Sequence, residues 1–259
     1  MPVVTYAQIE SWLGQGFWPF VRIGACLMVA PLFGAAYVPP RIRIVLSLAL
    51  TVMVLPVIPH PQGLTLLSGD GIITTAQQVV IGVAMGFVLQ LMFDALTLGG
   101  QMLANGMGLG FAFNIDPLRG VETPALGQFY VLLGSLTFLA LDGHIALIQT
   151  LVATFHGLPV GPAGFSAAAL HALANWGSQM FLGALRIALA GMTALVVINL
   201  GFGVISRAAP AMNLFGVGFP ITLAFGMVVL LLGLPTLQTG LIDMLSSAFA
   251  FVRALTGIS

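Results

Sequence analysis

Between Ile72 and Met107 the chain carries a single charge, Asp94. A helix crosses a ~30 Å hydrocarbon core with ~20 mostly apolar residues, so this one run is more than long enough. Five further apolar runs occur: Trp12–Val38, with Pro19 near its start and Pro31 near its end; Ile44–Ile58, bounded by Pro39-Pro40 and by the sequence IPHP; Ala125–Phe155; Trp176–Ile205; and Met212–Phe251, in which Gly233-Leu234-Pro235 is expected to interrupt the helix. The runs are long and lack period-two alternation, which favours helices over the strands of a barrel. Charged residues make up 5% of the chain and hydrophobic ones 59%, whereas a soluble domain has about 25% charged residues. The expected fold is all-α: a polytopic integral membrane protein of about six long, kinked apolar helices.

All seven basic residues are arginine. Their positions set an orientation, because loops rich in Lys and Arg stay cytoplasmic. Arg41 and Arg43 lie in the first loop, Arg119 in the third and Arg207 in the fifth, while the second and fourth loops have none. Odd loops then face the cytoplasm and both termini lie outside; Arg253 is the exception. Zero net charge argues against nucleic acid as a partner. The N-terminus has Glu10 and no basic region before its first apolar run, so it does not read as a cleaved signal peptide. Cys26 has no second cysteine to pair with.

No chemistry-bearing constellation emerges. The four histidines show no metal-ligand spacing, and no metal or other cofactor is expected. GMGLG at 106–110 is glycine-rich, but a chain without lysine has no phosphate-cradling P-loop. No nucleophile, base and oxyanion donors can be assembled, so the chain is not read as an enzyme. Ionisable residues within spans usually face protein or water; here they are Arg22, Asp94 and Arg186, with Asp142 near the end of the fourth run. They read as structural points that lock helices or subunits together, with a proton relay as the alternative. Gln90 lies one turn from Asp94 and shares its face. Gln77, Gln78, Gln101, Asn105 and Asn199 add further polar points. Gly82 and Gly86 have the small-xxx-small spacing of a close helix contact, although chance spacing in a chain with 32 glycines would also produce it.

The odd stretch is GLGFAFNIDPLRGVETP, residues 108–124. The third run ends in QMLANGMGLG, and each glycine costs a helix ~1 kcal/mol relative to alanine. Pro117 disfavours helix at Asp116, and Gly120 allows a tight reversal. A compact loop follows, yet it holds Phe111, Phe113, Ile115 and Leu118, which a solvated turn has no reason to carry. Irregular backbone at membrane depth is tolerated where protein buries it or where it lines a cavity. Two readings follow: an interfacial loop packed on nearby helices, or a plug whose apolar side chains obstruct a conduit.

Several stretches carry a family resemblance: FWPFVRIGACLMVAPLFG at 17–34, VPPRIR at 38–43, MGLGFAFNIDP at 107–117, DGHIALI at 142–148, TFHGLPVG at 154–161 and RAAPAMNLFGVGFPITL at 207–223. In order and over nearly the whole chain, they resemble the FliR family of flagellar type III export-gate proteins; the injectisome counterpart is the close relative. The resemblance implies helical hairpins within a hetero-oligomeric channel in the bacterial inner membrane, at the flagellar basal body. It implies FliP-like and FliQ-like subunits and an FlhB-like switch protein as partners, with unfolded export substrates passing through and membrane lipid around. Residues 1–175 would form a FliP-like part and 176–259 a FliQ-like hairpin, together one membrane-embedded domain. The family's plug loop would map onto Met107 to Glu122, with Met107, Leu109, Phe111, Phe113, Ile115, Asp116, Pro117, Arg119 and Glu122 as its gating residues. Arg22, Gln90, Asp94 and Arg186 would be intramembrane or inter-subunit polar points, and Arg207 and Pro210 would mark a cytoplasmic entrance loop. The rival of another class is a stand-alone proton-coupled transporter using Asp94 or Asp142.

Overall fold

The computed structural model describes residues 6–59, 64–109, 125–208 and 218–258, with side chains from Gly14 onward. Eight helices lie among the described residues: α1 Tyr6–Val29, α2 Pro40–Val54, α3 Gly69–Gly106, α4 Ala125–Ala140, α5 Gly143–Gly157, α6 Ala167–Trp176, α7 Ser178–Ala208 and α8 Phe219–Thr256. No strand is found among those residues. Local chemistry sets the boundaries. α1 stops just before Pro31, since the residue preceding a proline is pushed out of the helical region. α2 begins with proline in its first turn, where the missing N–H costs nothing. The Ser68 hydroxyl accepts from the Gly71 N–H at 3.0 Å at the start of α3, and Ser166 accepts from the Ala169 N–H at 3.1 Å to cap α6. Each cap satisfies one of the donors a helix leaves unpaired at its N-terminus.

Among the described residues, three helical runs are long and apolar enough to cross a membrane: α3, the α6–α7 run Ala167–Ala208, and α8. Taking α4 and α5 as one broken span gives four. The membrane-helix architecture is as expected, but the number of qualifying spans is three or four rather than six. α2 has 15 residues, about 22 Å at ~1.5 Å per residue, short of a ~30 Å core. α1 is diluted by Gln15 and Arg22. The fourth apolar run breaks at Asp142, which has a left-handed backbone with φ 55°. α8 shows a second difference: it continues through Pro235 without interruption.

The chain forms two compact units. The first comprises residues up to Leu91, Leu141–Gly177 and residues from Leu245 onward; the second comprises Met92–Ala140 and Ser178–Met244. In the first unit, α1 lies directly on α3. A Cβ on Gly82 would fall 2.3 Å from the Arg22 carbonyl oxygen, and one on Gly86 would fall 2.7 Å from that of Cys26. The Gly82/Gly86 spacing is therefore a true helix contact, made possible by the absence of side chains. In lipid, such close backbone approach replaces hydrophobic collapse as the source of helix association. α6 meets the end of α8 through a stacked pair, Trp176 on Phe251, with centroids 4.1 Å apart.

The second unit is built around the latter part of α3. Gly100 meets the backbone of Gly127 on α4, Gly99 meets Ala184 on α7, and Phe93 packs edge-on against Phe138 at 5.9 Å. The most apolar window of α3 is 67% buried, against 22% for each of the α6–α7 run and α8. α7 and α8 thus present wide apolar faces outward.

Candidate functional site

The site of interest is the point where α3 ends and the chain enters residues 110–124. α3 closes at Gly106, and Gly108 takes a left-handed backbone with φ 80°. Only glycine adopts that geometry without strain, which makes it the usual helix stop. The last four carbonyls of a helix lack intrahelical donors. Here the Gly106 carbonyl accepts from Asn199 Nδ2 on α7 at 3.1 Å, and Thr222 Oγ1 on α8 donates to Asn199 Oδ1 at 3.3 Å. A relay of two side chains therefore ties the end of α3 to both α7 and α8.

Packing reinforces the tie. Met107 is 1% exposed and fills the space beside Gly226 on α8; a Cβ there would lie 2.4 Å from Met107 Cγ. Leu195 on α7 is buried against Gly106. A cavity of about 290 Å³ opens beside this anchor, lined among others by Asn105, Gly108, Asn199, Phe202, Phe219 and Thr222. Two of the stretches quoted for the family resemblance meet here, 107–117 through Met107 and 207–223 through Phe219 and Thr222. The arrangement fixes the position of residues 105–108 at the end of α3.

A second polar centre lies in the first unit. Arg22 is fully buried. Its Nε donates to Gln78 Oε1 at 2.7 Å, Nη1 to the Thr154 carbonyl at 3.1 Å and the Thr154 hydroxyl at 3.2 Å, and Nη2 to the Leu158 carbonyl at 2.8 Å. The guanidinium also stands over the Phe155 ring, 4.2 Å from its centroid. Thr154 and Leu158 lie at the end of α5, where the helix dipole places negative partial charge. Arg22 is the cation that answers it, and its acceptors among the described residues are carbonyl, amide and hydroxyl oxygens rather than a carboxylate. Trp18 adds a bond one turn away, from Nε1 to Thr75 Oγ1 at 3.2 Å.

The remaining sequence candidates are placed as follows. Leu109 is half-buried beyond the anchor, Gln90 and Asp94 are half-buried on α3 and engaged in interactions, and Arg186 and Arg207 are exposed on α7. Phe111, Phe113, Ile115, Asp116, Pro117, Arg119, Glu122 and Pro210 lie outside the described residues. Among the described residues, no three His, Cys, Asp or Glu side chains could hold a metal ion together. The sequence reading did not single out Thr222 or Gly226. Asn199 stood out only as a polar residue in an apolar helix, a signal that marks a contact without naming its partner.

The profile of the family described as bacterial export proteins, family 1, matches residues 13–248. The flagellar biosynthetic protein FliR of Escherichia coli strain K12 is 37% identical over 223 residues, covering 86% of this chain and 85% of that protein. The chain belongs to the FliR family. The FliR of Pectobacterium carotovorum is 38% identical over 225 residues, 87% of this chain and 86% of its own length. That of Aquifex aeolicus is 31% identical over 217 residues, 83% of each chain. The match runs through both polar centres, so the anchor and the Arg22 centre lie inside the FliR-like region.

Proposed function

We propose that the chain is a core subunit of the flagellar type III protein export gate. It contributes a wall segment to a protein-conducting channel, and residues 107–122 close that channel when no substrate is passing. FliP-like and FliQ-like subunits and an FlhB-like switch protein complete the assembly in the bacterial inner membrane, with both termini of this chain on the periplasmic side. The division into a FliP-like part up to about residue 175 and a FliQ-like hairpin at 176–259 belongs to this proposal, as does the entrance role of Arg207 and Pro210. Unfolded substrates displace the loop, and the driving energy comes from elsewhere: a soluble ATPase and the proton-motive force of the family. No cofactor is needed for such a passive part.

The observation that carries the reading is the anchor beneath the loop. Residues 105–108 are held from two helices at once, which suits a loop that must return to one place after each displacement. The outward apolar faces of α7 and α8 support an assembly of several chains. A density map of the intact complex, purified from cells expressing the whole gate, tests the proposal. Residues 110–122 are expected across the central axis. If they lay flat on the exterior, the plug role would be refuted.

A further inference from the structure

We propose that the Arg22 centre of the first unit binds one ordered water molecule, held between the Thr74 hydroxyl and the Gln78 side-chain amide on α3. The proposal stands apart from the channel reading and uses only contacts within that unit. Thr74 and Gln78 are each 0% exposed, and Thr74 Oγ1 and Gln78 Nε2 have no hydrogen-bond partner among the described residues. The orientation of Gln78 is fixed by its neighbour. Arg22 Nε can only donate, and it meets Gln78 Oε1 at 2.7 Å, so the other end of the amide is the donor end. The two residues are one turn apart on α3 and share a face. Side chains in a helix lean toward its N-terminus, which carries Gln78 toward Thr74.

Other helix hydroxyls of this chain are satisfied locally. Ser47, Thr51, Thr75, Ser135, Thr193 and Thr256 each donate to the carbonyl four residues earlier, a common way for a hydroxyl within a helix to be met. The adjacent Thr75 does so toward Gly71 at 2.8 Å and also accepts from Trp18 Nε1. Thr74 does not. A buried polar group without a partner costs the full loss of its hydration, and such groups are where proteins keep internal water. A water accepts from Gln78 Nε2 and bonds the Thr74 hydroxyl as donor or acceptor, which satisfies both. It also holds the far end of the amide and so keeps Oε1 turned to Arg22. A metal cation does not suit the place, because the amide N–H groups and the guanidinium all present positive charge.

A density map of the purified complex, at a resolution that shows ordered water, tests this directly. A peak is expected ~2.7–3.2 Å from both Thr74 Oγ1 and Gln78 Nε2. No peak there, or a protein atom in its place, overturns the proposal. Thr74→Val, which exchanges the hydroxyl for a methyl of similar size, gives an independent readout. With a water bound, T74V strips one of its bonds and lowers the midpoint of thermal unfolding of the complex. With no partner for Thr74, T74V removes an unsatisfied polar group and raises that midpoint. A midpoint that rises or stays unchanged therefore overturns the proposal. The wild-type and T74V midpoints are read in chloride and in gluconate, and the downward shift is expected to be the same in both. A shift present in chloride and absent in gluconate assigns the place to an anion and overturns the water. Each of these failures leaves the export reading untouched, because no step of it passes through this centre.

Discussion

Replacing Asn199 by alanine removes both links of the relay beneath the loop. Asn199 donates to the Gly106 carbonyl at 3.1 Å and accepts from Thr222 at 3.3 Å. Side-chain hydrogen bonds between membrane helices average ~0.6 kcal/mol and reach ~1.7 kcal/mol; neutral pairs in proteins generally contribute ~0.5–1.5 kcal/mol. Asn199 is exposed on α7, so the lower half of each range applies, and the two bonds together stabilise the anchor by about 1–2 kcal/mol. Opening of the α3 end should become roughly 5–30 times more frequent. Amide hydrogen exchange reads this directly, since the Met107 N–H is bonded to the Leu103 carbonyl and the Gly108 N–H to that of Asn105. In the purified complex, the peptide spanning 103–109 should exchange faster in N199A by that factor. T222V, which removes one link, should give a smaller increase. Exchange in N199A within twofold of wild type would show that the relay does not hold the loop root.

Gly226→Ala should destabilise the second unit by about 1–3 kcal/mol, the cost of overpacking, because the added Cβ meets Met107 Cγ. Thermal unfolding of the complex should show the loss; M107A is itself destabilising because it empties a buried site, so the two losses should combine to less than their sum in the double variant, and strict additivity would contradict the contact. Arg22→Ala should cost more than about 3 kcal/mol, since it leaves buried acceptors at Gln78, Thr154 and Leu158 without a donor. R22K should recover little of it, because one ammonium cannot reproduce the planar fork. Folded yield in membranes checks both variants, and a wild-type yield of R22A would remove the structural role given to this centre.

Much of this fold can be read from hydropathy, and the parts that cannot have identifiable causes. α3 follows its apolar run almost residue for residue, because length and the near absence of charge leave no other solution in lipid. The fourth run was legible as one helix only if its Asp142-Gly143 pair was overlooked; that dipeptide is a turn signal which an average over apolar neighbours hides. Pro235 misleads in the opposite direction. It reads as a breaker, yet membrane helices tolerate proline when neighbouring groups satisfy the freed backbone. The start of α6 was signalled by Ser166 ahead of an alanine run, a local cue weaker than the hydropathy of α7 beyond it. The polar centres are a different matter. Arg22 finds its acceptors 56 to 136 positions away along the chain, and Asn199 finds Gly106 at a separation of 93. Such pairings depend on helix packing, which composition and periodicity do not encode.

The central claim is that residues 107–122 close a passage shared with other subunits. The most direct test deletes residues 110–122, leaving the anchor at Gly106–Gly108 in place, and measures small-ion leakage in cells expressing the complete gate. Leakage well above that of the intact gate, at equal complex abundance, is the predicted result. An ion permeability unchanged by the deletion would contradict the account.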